Sequence, residues 1–295
     1  MCGIVGYCGG QQAAPILLYG LERLEYRGYD SAGLCVDTNG KLTTVKASGK
    51  LKNLIALTNS GTTLNGVCGI GHTRWATHGV PTDTNAHPHV SDGGRIAVVH
   101  NGIIENFREL RAFLEKQGVT FTSETDTEAA AQLIDYYYDG DLIDAVQRAV
   151  HQLEGSYALG IICRDLPDTL VAVKKDSPLI VAYVSDDTAD SASFLASDIT
   201  AILKYTRDVT YLEDGDMAVL TRGGIEFYDT YGQKTEKAVT HIDWDADAAQ
   251  KGGYAHYMLK EIYEQPRVIR DTLLTRISGG TVDLSDAGIS PEYFD

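Results

Sequence analysis

The sequence predicts an α+β fold in which two antiparallel sheets pack face to face with helices outside them, followed by a short helical tail. Three observations lead there. Strand-like runs follow one another from Tyr157 to Tyr228, the helical patterns are segregated from them, and Asn39-Gly40 lies between two alternating runs as a hairpin signal.

Taken in order, Gly3 to Tyr7 reads as a buried strand, and Leu17, Leu21 and Leu24 then share one face of a helix. Strands over Ala32 to Val36 and Leu42 to Lys46 flank the hairpin turn, and further strands run from Gly69 to Thr73 and from Ile96 to His100. Asn106 with Glu109 opens a helix striped by Phe107, Leu110 and Leu114; Thr125 with Glu128 caps another that reaches Tyr138. A third helix carries Ile143, Val146, Val150 and Leu153. The strand-rich half comprises Tyr157 to Ile162, Thr169 to Val173, Leu179 to Tyr183, Val209 to Leu212, Met217 to Leu220 and Ile225 to Tyr228. Between them, Ser185 to Ser193 reads as a loop. Beyond His241 the run Asp243-Trp244-Asp245-Ala246-Asp247 reads as a polar linker, and a helix follows from Tyr254 to Tyr263. Pro266 is expected to interrupt it before a second helix from Arg267 to Arg276. Residues 279–295 lack the apolar periodicity to close a core, so residues 2–240 form the expected domain and 241–295 a linker with the truncated start of another.

Composition excludes several function classes. The chain has 295 residues with 41 acidic against 25 basic ones, a balance that opposes a phosphate-binding face for nucleic acid or anionic membrane. No apolar run approaches the ~20 residues of a membrane helix, and no basic stretch followed by an apolar one marks export, so the cytoplasm is the expected compartment. The five cysteines are scattered without a CxxC pair, which fits a reducing environment. His72, His78, His87, His89 and His100 crowd into one region, but no helical His pair with an acidic base accompanies them, so hydrogen-bonded loop histidines are expected rather than a metal site. His78 and His87 are the two expected near a substrate pocket. The glycines form no GxGxxG between a strand and a helix, and no cofactor is expected.

The chemistry-bearing feature is the start, Met1-Cys2-Gly3-Ile4-Val5-Gly6. Removal of Met1 would leave a cysteine with both a thiol and an α-amino group, a nucleophile and its base in one residue. A small buried strand cysteine is the plainer alternative. Amide hydrolysis also needs donors for an oxyanion, and the strand ending His100-Asn101-Gly102 offers a side-chain amide beside a flexible backbone N–H. Read alone, that Asn-Gly is more simply a turn. Arg74 suits a substrate carboxylate and Asp126 an ammonium group, with a surface ion pair and a first-turn helix acid as their structural alternatives.

The combination of CGIVG at Cys2, LEYRGYDSAG at Leu24, GHTRWATHG at Gly71, NAHPH at Asn85, HNGIIEN at His100 and SETDTE at Ser123 closely resembles the glutaminase domain of the glutamine:fructose-6-phosphate amidotransferase family, over residues 2 to about 240. The segment from Tyr257 to Pro266 is similar to the stretch leading into that family's isomerase domain. The resemblance implies a four-layer αββα N-terminal-nucleophile hydrolase sandwich. It further implies that Cys2 attacks the side-chain amide of L-glutamine, that Asn101 and Gly102 form the oxyanion hole, and that Arg74 and Asp126 hold the substrate's carboxylate and ammonium. Thr77 and His78 are expected to add contacts, Trp75 to close over glutamine and gate ammonia, and Arg27 and Tyr29 to shape the site. Fructose-6-phosphate would be met only through an isomerase domain that has no residues here, and a homodimer is implied for the full-length enzyme. Another N-terminal-nucleophile amidohydrolase and an inactive regulatory copy are the remaining readings.

Overall fold

A computed structural model describes residues 2–76, 79–185, 190–243, 254, 256–274, 276–278, 281–282 and 284. The chain divides into two compact units, 1–243 and 244–295.

In the first unit the helices are α1 (Ala13–Leu24), α2 (Leu51–Leu57), α3 (Phe107–Lys116), α4 (Asp126–Tyr137) and α5 (Leu142–Val150). The first eight strands are β1 (Gly3–Gly9), β2 (Ser31–Asp37), β3 (Leu42–Ser48), β4 (Cys68–Arg74), β5 (His89–Val90), β6 (Ile96–Ile104), β7 (Gly155–Cys163) and β8 (Leu166–Lys175). They are followed by β9 (Ile180–Val184), β10 (Ala192–Ala196), β11 (Asp208–Tyr211), β12 (Met217–Thr221), β13 (Gly224–Tyr228), β14 (Lys234–Thr235) and β15 (Thr240–His241). One sheet has the order β15-β11-β9-β10-β1-β4-β2-β3 and the other β14-β13-β12-β8-β7-β6-β5, and the paired strands within each run antiparallel.

Alternation along the strands sorts side chains into two cores. On β6, Ala97 and Val99 join Ile4, Ile70, Leu170 and Leu195 in the layer between the sheets. Ile96, Val98 and Ile104, on the opposite face, pack with Leu110 and Leu114 of α3, Leu133 of α4 and Val146 of α5. α1 covers the other sheet with Leu17, Leu21 and Leu24 fully buried. The layering is therefore helix, sheet, sheet, helix, as expected.

Local chemistry sets the boundaries. Asn39 and Gly40, at φ 54° and 77°, turn the β2–β3 hairpin, the backbone an Asn-Gly pair favours. The Thr125 hydroxyl accepts the Glu128 N–H, and the Asp141 carboxylate accepts those of Ile143 and Asp144, satisfying first-turn donors of α4 and α5. Asn106 starts α3 without capping it; its side chain instead donates to the Gln152 carbonyl at 2.7 Å.

Four expectations change. Of the histidines expected in loops, His72, His89 and His100 lie on β4, β5 and β6. β6 does not end at His100 but continues through Asn101 and Gly102 to Ile104, because β7 pairs with it residue for residue, Asn101 opposite Ala158 and Gly102 opposite Tyr157. The stretch read as a loop up to Ser193 already contains the start of β10, while residues 186–189 lie outside the described ones. In the second unit one helix, α6 (Tyr257–Leu274), runs through Pro266. Proline removes the bond to the Ile262 carbonyl and crowds it, and Ile262 lies on an exposed stretch where that carbonyl can turn to water. Two short paired strands, Ile277–Ser278 and Thr281–Val282, follow α6. No described helix is long and apolar enough to cross a membrane.

Candidate active site

Strand periodicity assembles the site. Ile4 and Cys8 of β1, Cys68 and Ile70 of β4, and Ala97 and Val99 of β6 point into the layer between the sheets. With alternation, Cys2, His72, Arg74 and Asn101 extend those three inward rows at the same end of the sandwich. The β1–β4 register pairs Gly3 with Thr73, so one further step sets Cys2 opposite Arg74. His100, on the other face of β6, points instead to α4.

The contacts follow from this placement. The Trp75 N–H donates to the Cys2 sulfur at 3.2 Å, and Asn101 Nδ2 donates to the Cys2 carbonyl at 3.1 Å. Asn101 Oδ1 is 2.9 Å from His72 Nε2. Asp126, the first residue of α4, accepts the Ile104 N–H on Oδ2 at 2.9 Å, and the same oxygen is 3.8 Å from His100 Nδ1. Arg74 donates to the Gly79 carbonyl at 3.3 Å. A cavity of about 370 Å³ is lined by Cys2, Arg74, Trp75, His87, Asn101, Gly102 and Asp126, with Ile103, Ser156 and Ser177 also in its wall. That volume falls within the ~300–1,000 Å³ typical of small-molecule sites. Its lining includes a sulfur, a side-chain amide, a guanidinium and a carboxylate.

Seven residues singled out in the sequence, His87 among them, thus meet at one cavity, although Cys2 and Asp126 are far apart in the chain. Trp75 and Tyr29 form a T-shaped pair, ring centroids 5.5 Å apart, and both are about half exposed. Arg27 belongs to the 3-10 turn Glu25–Arg27, but its side chain lies outside the described residues, as do Thr77 and His78. The adjoining Gly28 is pressed against β4, where a Cβ would come within 2.7 Å of the Arg74 carbonyl carbon. Sequence reading missed His72, whose two-residue spacing from Arg74 on one strand face was the available signal. It also missed Ser156 and Ser177, which nothing in their local pattern marks.

Electrostatics divide the site into a protonated thiol and a neutral wall. Burial raises the Cys2 thiol above its ordinary pKa, opposed by the Trp75 N–H and the Arg74 charge. At neutral pH the sulfur therefore holds its proton, and attack requires an acceptor for it. Behind it, His72 and His87 stack with centroids 4.2 Å apart, and His89 meets His87 edge-on at 5.0 Å. Burial lowers the pKa of His72 to about 3 and those of His87 and His89 well below the usual value. Among the described residues, no group of three or more His, Cys, Asp or Glu side chains is placed to hold a metal ion.

These neutral histidines predict an acid-sensitive fold. Because each folded-state pKa lies below the unfolded value of 6.5, the unfolded chain takes up protons first as pH falls. Stability is full above about pH 6.5 and is lost progressively toward about pH 3. Between pH 7.5 and 5.5 each histidine should remove ~1.4 kcal/mol, and the three together about 4 kcal/mol. Urea unfolding at the two pH values measures this, and equal midpoints would show that the cluster is protonated in the fold.

A family model described as a glutamine amidotransferase domain matches residues 72–204. A Clostridium acetobutylicum protein named glutamine–fructose-6-phosphate aminotransferase (isomerizing) is 53% identical over 296 residues, covering 100% of this chain and 48% of that protein. A Thermus thermophilus protein of the same name is 50% identical, covering 96% of this chain and 46% of that protein. Among solved structures, glutamine phosphoribosylpyrophosphate amidotransferase from B. subtilis superposes with a TM-score of 0.65 at 28% identity, over 78% of this chain and 49% of that one. A glutamine aminotransferase class-II domain protein from Silicibacter pomeroyi shares the fold, with a TM-score of 0.53 at 17% identity over 78% of this chain and 99% of that one. The chain spans about half the length of the curated relatives it matches. On the family model, these relatives and the shared fold together, this chain carries a glutamine amidotransferase domain and is similar to about half the length of the proteins named glutamine–fructose-6-phosphate aminotransferase.

Proposed function

We propose that this chain hydrolyses the side-chain amide of L-glutamine to glutamate and ammonia, with Cys2 as nucleophile. The observation that carries the reading is the convergence of Cys2, Arg74, Asn101 and Asp126 on one cavity. Removal of Met1 frees the Cys2 α-amine, which accepts the thiol proton as sulfur attacks the γ-carbonyl carbon. Asn101 Nδ2 and the Gly102 N–H donate to the oxygen that becomes negative in the tetrahedral intermediate. As the intermediate collapses, the amine returns the proton to the leaving nitrogen and ammonia departs. Water then cleaves the γ-glutamyl thioester, releasing glutamate and restoring the thiol.

The two ends of the substrate differ in charge, and so do the side chains assigned to them. Arg74 binds the α-carboxylate through its two-pronged fork, and Asp126 binds the α-ammonium. Trp75 covers the bound amino acid and retains ammonia, while Thr77, His78 and Arg27 add contacts around it. No cofactor is required. Residues 241–295 lead toward a sugar isomerase half, where ammonia converts fructose-6-phosphate to glucosamine-6-phosphate in a dimeric cytoplasmic enzyme.

Intact-mass spectrometry with a glutamine analogue bearing a γ-electrophile tests the reading. One adduct on a chain lacking Met1, placed at Cys2 by fragmentation and suppressed by excess glutamine, is expected. Labelling elsewhere, or labelling that glutamine does not suppress, overturns it.

Asp126→Asn isolates the ammonium contact, because an amide oxygen can still accept the Ile104 N–H while the charge is lost. Removing one member of a buried charge pair costs ~2–5 kcal/mol, so kcat/KM for glutamine should fall by at least ~30-fold, mainly through KM. Steady-state kinetics decide it. An unchanged KM would remove Asp126 from the substrate clamp.

A further inference from the structure

We infer that His72 is a positioning residue that holds the Asn101 carboxamide with its nitrogen toward the nucleophile; the inference rests on the oxyanion role proposed above for Asn101. The orientation of that amide follows from what each neighbour can do. The Cys2 carbonyl can only accept, so the Asn101 atom 3.1 Å from it is the Nδ2 donor. The atom facing His72 Nε2 at 2.9 Å is therefore Oδ1, an acceptor, and His72 must present N–H there. Nδ2 has a second hydrogen, and Asn101 lines the cavity where the substrate oxygen would sit.

Without His72 the carboxamide is oriented by the Cys2 carbonyl alone, a single contact on a terminal torsion that is broad and roughly two-fold. A flipped amide would turn oxygen toward the developing oxyanion, replacing a donor with a repelling dipole. His72 can resist this because it is itself fixed. It is fully buried on β4 and stacks on His87 at 4.2 Å with ring planes 23° apart. His87 Nδ1 accepts the His100 N–H at 3.4 Å, so its Nε2 carries the proton directed at the Thr127 hydroxyl 3.3 Å away. The stack thus connects the oxyanion donor to the first turn of α4, the turn that begins with Asp126. Burial keeps His72 a neutral donor, so its role does not change across the working pH range.

His72→Phe removes the N–H while keeping a flat ring for His87, and His72→Gln restores an amide N–H at similar reach. For His72→Phe, kcat should fall by ~10–100-fold, part of the ~10²–10³ lost when an oxyanion donor is deleted. KM for glutamine should stay within about threefold, because Arg74 and Asp126 are untouched. Alkylation of Cys2 by iodoacetamide develops no oxyanion, so its rate should match wild type, which also shows that the fold and thiol are intact. His72→Gln should recover most of kcat. The inference is overturned if His72→Phe keeps wild-type kcat, if KM alone changes, if alkylation slows in parallel with kcat, or if His72→Gln alkylates normally yet recovers no turnover. Wild-type chain with no Cys2-dependent glutaminase activity would overturn the functional reading itself, a result distinct from these.

Discussion

Cys2→Ala should reduce glutamine hydrolysis to background, a loss of roughly 10⁵-fold or more, on the scale seen when the attacking residue of a covalent hydrolase is deleted. The size of the effect follows from the proposed reaction: without sulfur no thioester forms, and neither the proposed oxyanion donors nor the proposed substrate clamp supplies another nucleophile. None of the other four cysteines can substitute. Cys8, Cys35, Cys68 and Cys163 are buried in strands, and none of them lines the cavity. Stability should hardly move, since alanine retains the Cys2 backbone carbonyl that accepts from Asn101 and the thiol is only part-buried. The pair of measurements is glutamate release and the urea midpoint. Steady glutamate release by the alanine protein would place the nucleophile elsewhere.

Cys2→Ser separates nucleophilicity from geometry. A hydroxyl has the right reach, but its proton is much harder to remove than that of the thiol, even though burial has raised the latter. Turnover above the alanine protein and far below wild type is the expected order.

Much of this architecture was legible in the sequence because strand periodicity and turn chemistry are local. Asn39-Gly40 announced its hairpin, and Thr125 with Glu128 announced the start of α4. Asn101-Gly102 shows where local reading fails. The same dipeptide that turns one hairpin lies within a strand here, because nine residues of β7 pair with β6 and override the turn preference. Pro266 fails for a related reason: propensity treats the lost hydrogen bond as decisive, whereas an exposed helix exchanges it for water. β10 escaped notice because Ala192–Ala196 is short and carries only two large apolar residues, yet it is central, paired to β1 on one side and β9 on the other.

The site divides in the same way. Cys2, Arg74, Asn101, Gly102 and Asp126 were singled out by motif and resemblance together, since residue type alone left a buried strand cysteine, a surface ion pair, a turn and a first-turn helix acid as alternatives. His72 was not, since a histidine whose work is to orient a neighbour looks like any buried histidine until the strand faces are known. Once β4 and β6 are assigned, alternation alone puts His72 and Asn101 in facing inward rows.

Gly102→Ala should damage fold and chemistry together, which distinguishes it from Cys2→Ala. Gly102 has φ +125°, where L-residues are strained by ~1–3 kcal/mol. Independently, a Cβ there would lie 2.1 Å from the Ser156 carbonyl oxygen and 2.7 Å from its carbon, both backbone atoms of the adjacent strand. That contact can be relieved only by separating β6 from β7, at a further ~1–3 kcal/mol. The midpoint of urea unfolding should therefore shift by the equivalent of ~2–6 kcal/mol. The separation would also displace the Gly102 N–H and the preceding Asn101 amide from the oxygen they are proposed to stabilise. A loss of ~10²–10³-fold in kcat follows for one donor, and more where both move. Gly94→Ala provides the comparison, because Gly94 also has positive φ, at 66°, but open space where a Cβ would point. It should show the smaller backbone penalty with kcat unchanged. If folded Gly102→Ala protein turns over glutamine at the wild-type rate, the Gly102 N–H is not an oxyanion donor, and stabilisation must come from Asn101 alone.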